Sequence, residues 1–178
     1  MRFQQLDLPG LVLITPKVFE DERGFFLETY RKDQLLAAGI AVDFVQDNHS
    51  KSRKGTVRGL HYQTSPGQAK LIRCTKGAIW DIAVDIRPDS ETFGKWVGVE
   101  LSENNKQLIY IPIGFAHGFA VLSDEAEVQY KCSNYYDGAT EAGIAWNDPE
   151  VAVDWKVSAP ILSVRDQNNP PLASLRKK

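Results

Sequence analysis

The run Ala78-Ile79-Trp80-Asp81-Ile82-Ala83-Val84-Asp85-Ile86 decides the fold class. In extended backbone its side chains alternate, so Ile79, Asp81, Ala83 and Asp85 face one way and Trp80, Ile82, Val84 and Ile86 the other. That is the pattern of a half-buried strand with one face on a core. Similar runs precede it (LVLITPKVF, GFFLETY, DFVQDNHS, TVRGLHYQ, KLIRCTKG) and follow it (WVGVELS, QLIYIP, HGFAVLS, EVQYKCSNYY). They are rich in Val, Ile, Phe and Tyr, and clusters of Gly, Pro, Asp and Asn separate them. The spacing is short and even, with no alternation of strands and helices, which predicts an all-β sandwich or barrel.

One helix is expected at Asp33 to Ala38, with Asp33 capping its N-terminus and Gly39 ending it in the left-handed conformation. A second, weaker helical segment is expected near Leu172 to Arg176. The tail from Ser158 carries Pro160, Pro170 and Pro171 and reads as irregular chain over the barrel surface.

The 178 residues, 43% hydrophobic, suffice for one core, and without repeat or linker the expectation is a single domain over 1–178. The 21 basic and 23 acidic side chains leave a net charge of -2. That balance gives no reason to expect nucleic acid or an anionic membrane as a partner, so any bound anion must be caught by a local pocket. The N-terminus MRFQQLDLPG has no apolar leader pattern, and no run approaches the ~20 apolar residues of a membrane span, so a cytoplasmic protein is expected. Cys74 and Cys132 lack metal-ligand spacing and read as reduced, buried thiols.

Polar residues inside core-like strands mark where a site should lie. In Arg58-Gly59-Leu60-His61-Tyr62-Gln63, alternation places Arg58, Leu60 and Tyr62 on one face and His61 and Gln63 on the other. A lone histidine is more often a satisfied core or rim residue. Here Arg58, Lys70 and Arg73 on the next strand, and Asn48 and His49 on the previous one, would line one cavity with it if consecutive strands pair. Such a density of cations suits a diphosphate.

The segment IYIPIGFAHGFAVL carries Pro112, Gly114 and His117 in the PxGxxH pattern of the second cupin motif. Metal-binding cupins combine it with HxH and a Glu, but this chain has HYQ, with Gln63 in place of the second histidine, so no metal is expected. Seven stretches in order, DERGFF, QDNHS, RGLHYQ, TFGKW, IPIGFAHGF, YKCSNYY and WNDP, resemble the dTDP-4-dehydrorhamnose 3,5-epimerase family along essentially the whole chain.

The resemblance implies a cupin-type jelly-roll β-barrel and a dTDP-sugar substrate, dTDP-4-dehydro-6-deoxyglucose, whose carbons 3 and 5 flank a ketone. Inverting them needs a base, an acid on the opposite face and a donor for the enolate oxygen, and no cofactor. His61 matches the family's base, Asp166 the carboxylate paired with it, Tyr130 the acid and Lys70 the residue beside the carbonyl oxygen. On residues alone, Asp166 is a turn former in a Pro-rich tail, Tyr130 an inward core tyrosine, and Lys70 as readily a surface lysine. His117 matches a sugar-nucleotide contact. Arg23, Glu28, Gln46, Asn48, Arg58, Glu141 and Arg165 fall on nucleotide-binding positions, Tyr136 on the aromatic that stacks on thymine and Phe26 on an aromatic near the base. The family also implies a homodimer with an exchanged N-terminal segment, in which Arg23, Phe26 and Glu28 complete the neighbouring site. Two other readings stay open: an epimerase acting at carbon 3 or 5 only, and a non-catalytic cupin that binds a sugar nucleotide.

Overall fold

The computed structural model describes residues 1–176. Thirteen strands dominate: β1 (Arg2–Gln5), β2 (Val12–Thr15), β3 (Val18–Asp21), β4 (Gly24–Leu27), β5 (Gln46–Arg53), β6 (Val57–Gln63), β7 (Lys70–Lys76), β8 (Ala78–Asp85), β9 (Trp96–Ser102), β10 (Leu108–Ile111), β11 (Phe115–Val121), β12 (Glu125–Cys132) and β13 (Glu141–Gly143). Two short helices, α1 (Lys32–Ala37) and α2 (Val164–Gln167), and a 3₁₀ turn at Leu172–Leu175 are the other elements among the described residues. None of these helices is long and apolar enough to cross a membrane.

The strands form a six-stranded sheet in the order β1-β2-β10-β7-β12-β5 and a five-stranded sheet in the order β13-β6-β11-β8-β9, both antiparallel. Ile72, Ile79, Ala83, Leu101, Ile109 and Val128 pack between them. This is the all-β, cupin-type jelly roll that the sequence predicts. The strands β5, β6 and β7 are not neighbours, however. β5 and β7 flank β12 in one sheet while β6 pairs with β11 and β13 in the other, so a cavity they share lies between the sheets.

The half-buried reading of β8 needs correction. Ile79 and Ala83 face the inner core, but Ile82 and Val84 are also buried, under Ile144, Val151, Trp155 and Leu172 from the C-terminal third. Sealing both faces of the strand removes far more apolar surface from water than one face would. The tail is correspondingly less irregular than its prolines imply. It adds a parallel bridge between Ile161 and Thr56, then α2, then the 3₁₀ turn, which occupies the second expected helical position.

Arg31, not Asp33, is the N-cap residue of α1, and it provides no side-chain cap. Asp33 lies in the first turn, where its carboxylate accepts from the Gln34 amide and the Arg31 guanidinium. Gly39 does end the helix at φ +84°, a left-handed conformation that a residue without a Cβ adopts at little cost. The run LVLITPKVF splits around Pro16 into β2 and β3, and β3 pairs only with β4. The resulting hairpin presents Phe19, Phe25 and Phe26 to solvent.

Candidate active site

A cavity of about 480 Å3 opens between the sheets. Its walls include Arg58 and His61 from β6, Lys70 from β7, His117 from β11, Tyr130 from β12 and Glu141 from β13. Ser163, Arg165 and Asp166 of the tail close one side. The backbone explains the reach of the tail. Ile161 O accepts from the Val57 amide at 2.9 Å and Ile161 N donates to Gly55 O at 2.8 Å, fixing the chain beside β6 just before α2.

Arg58 and His61 line the same cavity, contrary to simple alternation. His117 stands opposite His61 and Phe119 opposite Arg58, so β6 uses one more residue than β11 over this interval. The extra residue is a bulge that turns Arg58 toward the His61 side. Gly59, at φ +134°, occupies the bulge, and a Cβ there would lie 2.5 Å from the Gly118 Cα.

His61 Nε2 lies 2.5 Å from Asp166 Oδ1. The Asp166 backbone amide donates to Ser163 Oγ, which caps α2 and sets the direction of the carboxylate. Burial pushes the Asp166 carboxyl up, but hydrogen bonds from His61, Ser163 and the Gly59 amide outweigh it and hold the group below its usual range. Asp166 is therefore a buried carboxylate aimed at one ring nitrogen. The other ring nitrogen, Nδ1, is left for the cavity.

Tyr130 belongs to the six-stranded sheet and so faces His61 from the opposite wall. Burial, with the Cys132 thiol nearby, raises its phenol above the usual value, and it keeps its proton. Lys70 is buried at 9% exposure, and burial pulls its ammonium below the usual range against the attraction of Cys132, Glu141 and Asp81. Next to it, His117 Nε2 bonds to Asp81 Oδ2 at 2.9 Å.

A polar rim continues from the cavity. Arg58 Nε donates to Ser52 Oγ at 2.9 Å. Gln46 Nε2 donates to Asn48 Oδ1, and Gln46 Oε1 accepts from the Tyr136 amide. The Tyr136 hydroxyl and the Arg165 guanidinium both meet the Glu141 carboxylate. Of the expected site residues, His61, Lys70, Tyr130, Asp166, Arg58, His117, Glu141 and Arg165 thus line one cavity, while Tyr136, Gln46 and Asn48 follow from its Glu141 wall as a chain of hydrogen bonds.

Arg23, Phe26 and Glu28 do not join them within one chain. Arg23 pairs with Asp21 at the tip of the β3–β4 hairpin, Glu28 lies near Arg31, and the Phe26 ring is exposed. Arg73 and His49 also fall outside. They line an adjoining pocket of about 220 Å3 with Asn48, Leu71 and Leu108, which shares Tyr130 with the main cavity, and His49 pairs with Glu127. Two partners escaped the sequence reading. Ser163 had a signal, since Ser-Val-Arg-Asp is a serine cap with an acid three residues on. Asp81 had only its place in an apolar strand.

Gln63 is buried, donates to Thr140 Oγ1, and leaves Oε1 without a partner among the described residues. Among those residues no group of three or more His, Cys, Asp or Glu is placed to hold a metal ion.

A cupin barrel whose cavity sets a carboxylate-bound imidazole against a protonated phenol, with guanidinium groups at the rim, has the make-up of a sugar-nucleotide isomerase. Comparison with known proteins narrows the class. The profile of the family described as dTDP-4-dehydrorhamnose 3,5-epimerase matches residues 5–174. The dTDP-4-dehydrorhamnose 3,5-epimerase of Shigella flexneri is 53% identical over 170 residues, covering 94% of each chain. The crystal structure of that enzyme from Elizabethkingia anophelis superposes with a TM-score of 0.93 at 47% identity, over 98% of this chain and 97% of the other. A dTDP-6-deoxy-D-glucose-3,5-epimerase from Legionella pneumophila, in complex with dTDP-4-keto-L-rhamnose, gives 0.94 at 44% identity, over 99% and 98%. This chain belongs to the dTDP-4-dehydrorhamnose 3,5-epimerase family.

Proposed function

We propose that the chain works as one domain that inverts carbons 3 and 5 of dTDP-4-dehydro-6-deoxy-D-glucose, giving dTDP-4-dehydro-L-rhamnose. The observation that carries this reading is the His61–Asp166 pair facing Tyr130 across the cavity. His61 Nδ1 takes the proton from a carbon beside the ketone, and the released electron pair moves into the carbonyl to form an enolate. The Lys70 ammonium stabilises the new charge on oxygen, and Asp166 stabilises the imidazolium. Tyr130 returns a proton to the other face of the carbon, and the enolate collapses back to the ketone. The substrate regains a proton and its electron pair, so no electron acceptor is needed; His61 then gives its proton to solvent and the Tyr130 phenolate takes one back before the second carbon is inverted.

In the same reading Arg58 and Arg165 clamp the diphosphate, Tyr136 stacks on thymine, and Gln46, Asn48, Glu141 and His117 take polar edges of base and sugar. Substrate entry displaces the Glu141 carboxylate from Arg165. The β3–β4 hairpin crosses to a second copy, and Arg23, Phe26 and Glu28 complete that copy's site. The exposed Phe19, Phe25 and Phe26 support this, because three aromatic rings grouped on one hairpin make the kind of apolar patch that an assembly covers. A cytoplasmic location goes with the two free, buried thiols.

The test is incubation of the protein with the substrate in deuterated water, with label located by NMR. Deuterium at both carbons is expected. Label at one carbon only points to a mono-epimerase, and none despite measurable dTDP binding points to a binding module.

A further inference from the structure

Asp81 has no exposure to solvent, lies on the inner face of β8 beside Ile79 and Ala83, and stands opposite Phe119 and Val99. Ionised carboxylates are costly in such surroundings unless something specific retains them. Oδ2 meets His117 Nε2, and Oδ1 has no hydrogen-bond partner among the described residues. A side chain kept only to fill the barrel would not leave a buried oxygen unmatched. Asp81 therefore serves the group it holds, and that group is a wall of the cavity.

The pair reproduces the His61–Asp166 arrangement one strand away. His61 and His117 are direct partners in the β6–β11 register, and each imidazole gives one nitrogen to a buried carboxylate. They differ in solvation: the His61 side chain is 26% exposed and that of His117 8%. Burial lowers the His117 pKa against the pull of Asp81, with Lys70 and His61 adding in the same direction as burial, so the ring is neutral. A neutral ring that gives its proton to a carboxylate at Nε2 has a bare Nδ1.

We propose that Asp81 is a positioning residue for the epimerisation. It locks His117 in the Nε2-protonated tautomer, so that Nδ1 is a hydrogen-bond acceptor for a hydroxyl of the sugar ring. The inference rests on the epimerase reading above and adds a fixed acceptor to the cavity besides the Glu141 carboxylate and the His61 base. Lys70 and Tyr130 are donors, Glu141 is tied to Arg165 and Tyr136, and a ring hydroxyl next to the ketone needs an acceptor to fix its direction. The opposite tautomer would turn a ring N–H toward the same space as the Lys70 ammonium and leave the hydroxyl unheld.

Two measurements test the proposal. In the unaltered protein, 15N NMR of His117 should show a bare Nδ1 and a protonated Nε2. Asp81→Asn keeps the volume but can donate its amide N–H to Nε2, which moves the ring proton to Nδ1. The expected result is a fall in kcat of about 10-fold or more, with the proton of His117 moved to Nδ1. Affinity for dTDP should stay within about twofold, since the nucleotide contacts are untouched. A His117 proton on Nδ1 in the unaltered protein would overturn the proposal, and so would wild-type kcat in a folded Asp81→Asn. If Asp81→Asn does not fold, the tautomer of the unaltered protein decides alone. Absence of deuterium uptake by the unaltered protein defeats the epimerase reading itself, a result separable from either of these.

Discussion

His61 Nε2 and Asp166 Oδ1 lie 2.5 Å apart although 105 positions of sequence separate them. Strand β6 supplies the ring and a four-residue helix of the tail supplies the carboxylate. Its task is to orient the ring and stabilise the imidazolium, which an amide cannot do. Asp166→Asn should lower kcat by about 10²- to 10⁴-fold. Steady-state kinetics check this, and calorimetry with dTDP should find affinity within about threefold of wild type.

Lys70 places an amino group where charge is unwelcome, and a stability cost follows whenever it is protonated. Its ammonium lies below the reference value of 10.5 because it is buried. The unfolded chain therefore binds this proton more tightly than the folded one. Between the folded and unfolded values the stability contributed by Lys70 rises with pH, and below both the cost is present in full. Lys70→Met should raise the melting temperature at neutral pH by a few degrees, about 1 kcal/mol or more, and flatten the alkaline rise. It should lower kcat by about 10²-fold or more by removing the enolate donor. Thermal melts across pH and kinetics at one pH test the two halves separately.

Asp85 is a structural counterpart. Burial alone would raise its pKa, but hydrogen bonds from Arg87, Ser90 and Thr92 lower it to about 2. Its contribution is complete above the unfolded value of 3.8 and is lost as pH falls through about 2. Asp85→Asn should cost about 2 kcal/mol at neutral pH. Denaturant unfolding should show the gap to wild type narrowing in acid, with kcat little changed.

Much of this was legible in the sequence, and the exceptions have physical causes. Alternation in β8 and the short runs around it point to a barrel, and the inward placement of Tyr130 follows from its own strand. That β8 is buried on its outer face is hidden, because the covering residues Val151 and Trp155 sit far downstream without strand or helix periodicity and nothing in the short helical segment at Leu172 says where it docks. Alternation alone puts Arg58 on the face away from His61, because a bulge at Gly59 has no signature beyond the glycine itself. Arg73 and His49 were placed in the cavity on the premise that consecutive strands pair, which a jelly roll violates. Asp166 was visible only through family resemblance, since two residues brought together by a tail leave no local pattern.

The hairpin residues give a test of exchange between copies. If Arg23 acts in the neighbour's site, a mixed dimer of His61→Ala and Arg23→Ala chains carries one doubly altered site and one intact site. Mixing the two poorly active variants, after dissociation and reassembly, should restore activity well above the sum of the separate variants. Purely additive rates would mean that Arg23 does not cross.

The central claim is the division of labour between His61 as base and Tyr130 as acid, and it is tested most directly by comparing label uptake with inversion in deuterated water. His61→Ala should take up no deuterium at carbon 3 or carbon 5. Tyr130→Phe should still take up label at a carbon that His61 deprotonates, while inversion falls well behind uptake. Wild-type uptake in His61→Ala, or wild-type inversion in Tyr130→Phe, would contradict the account.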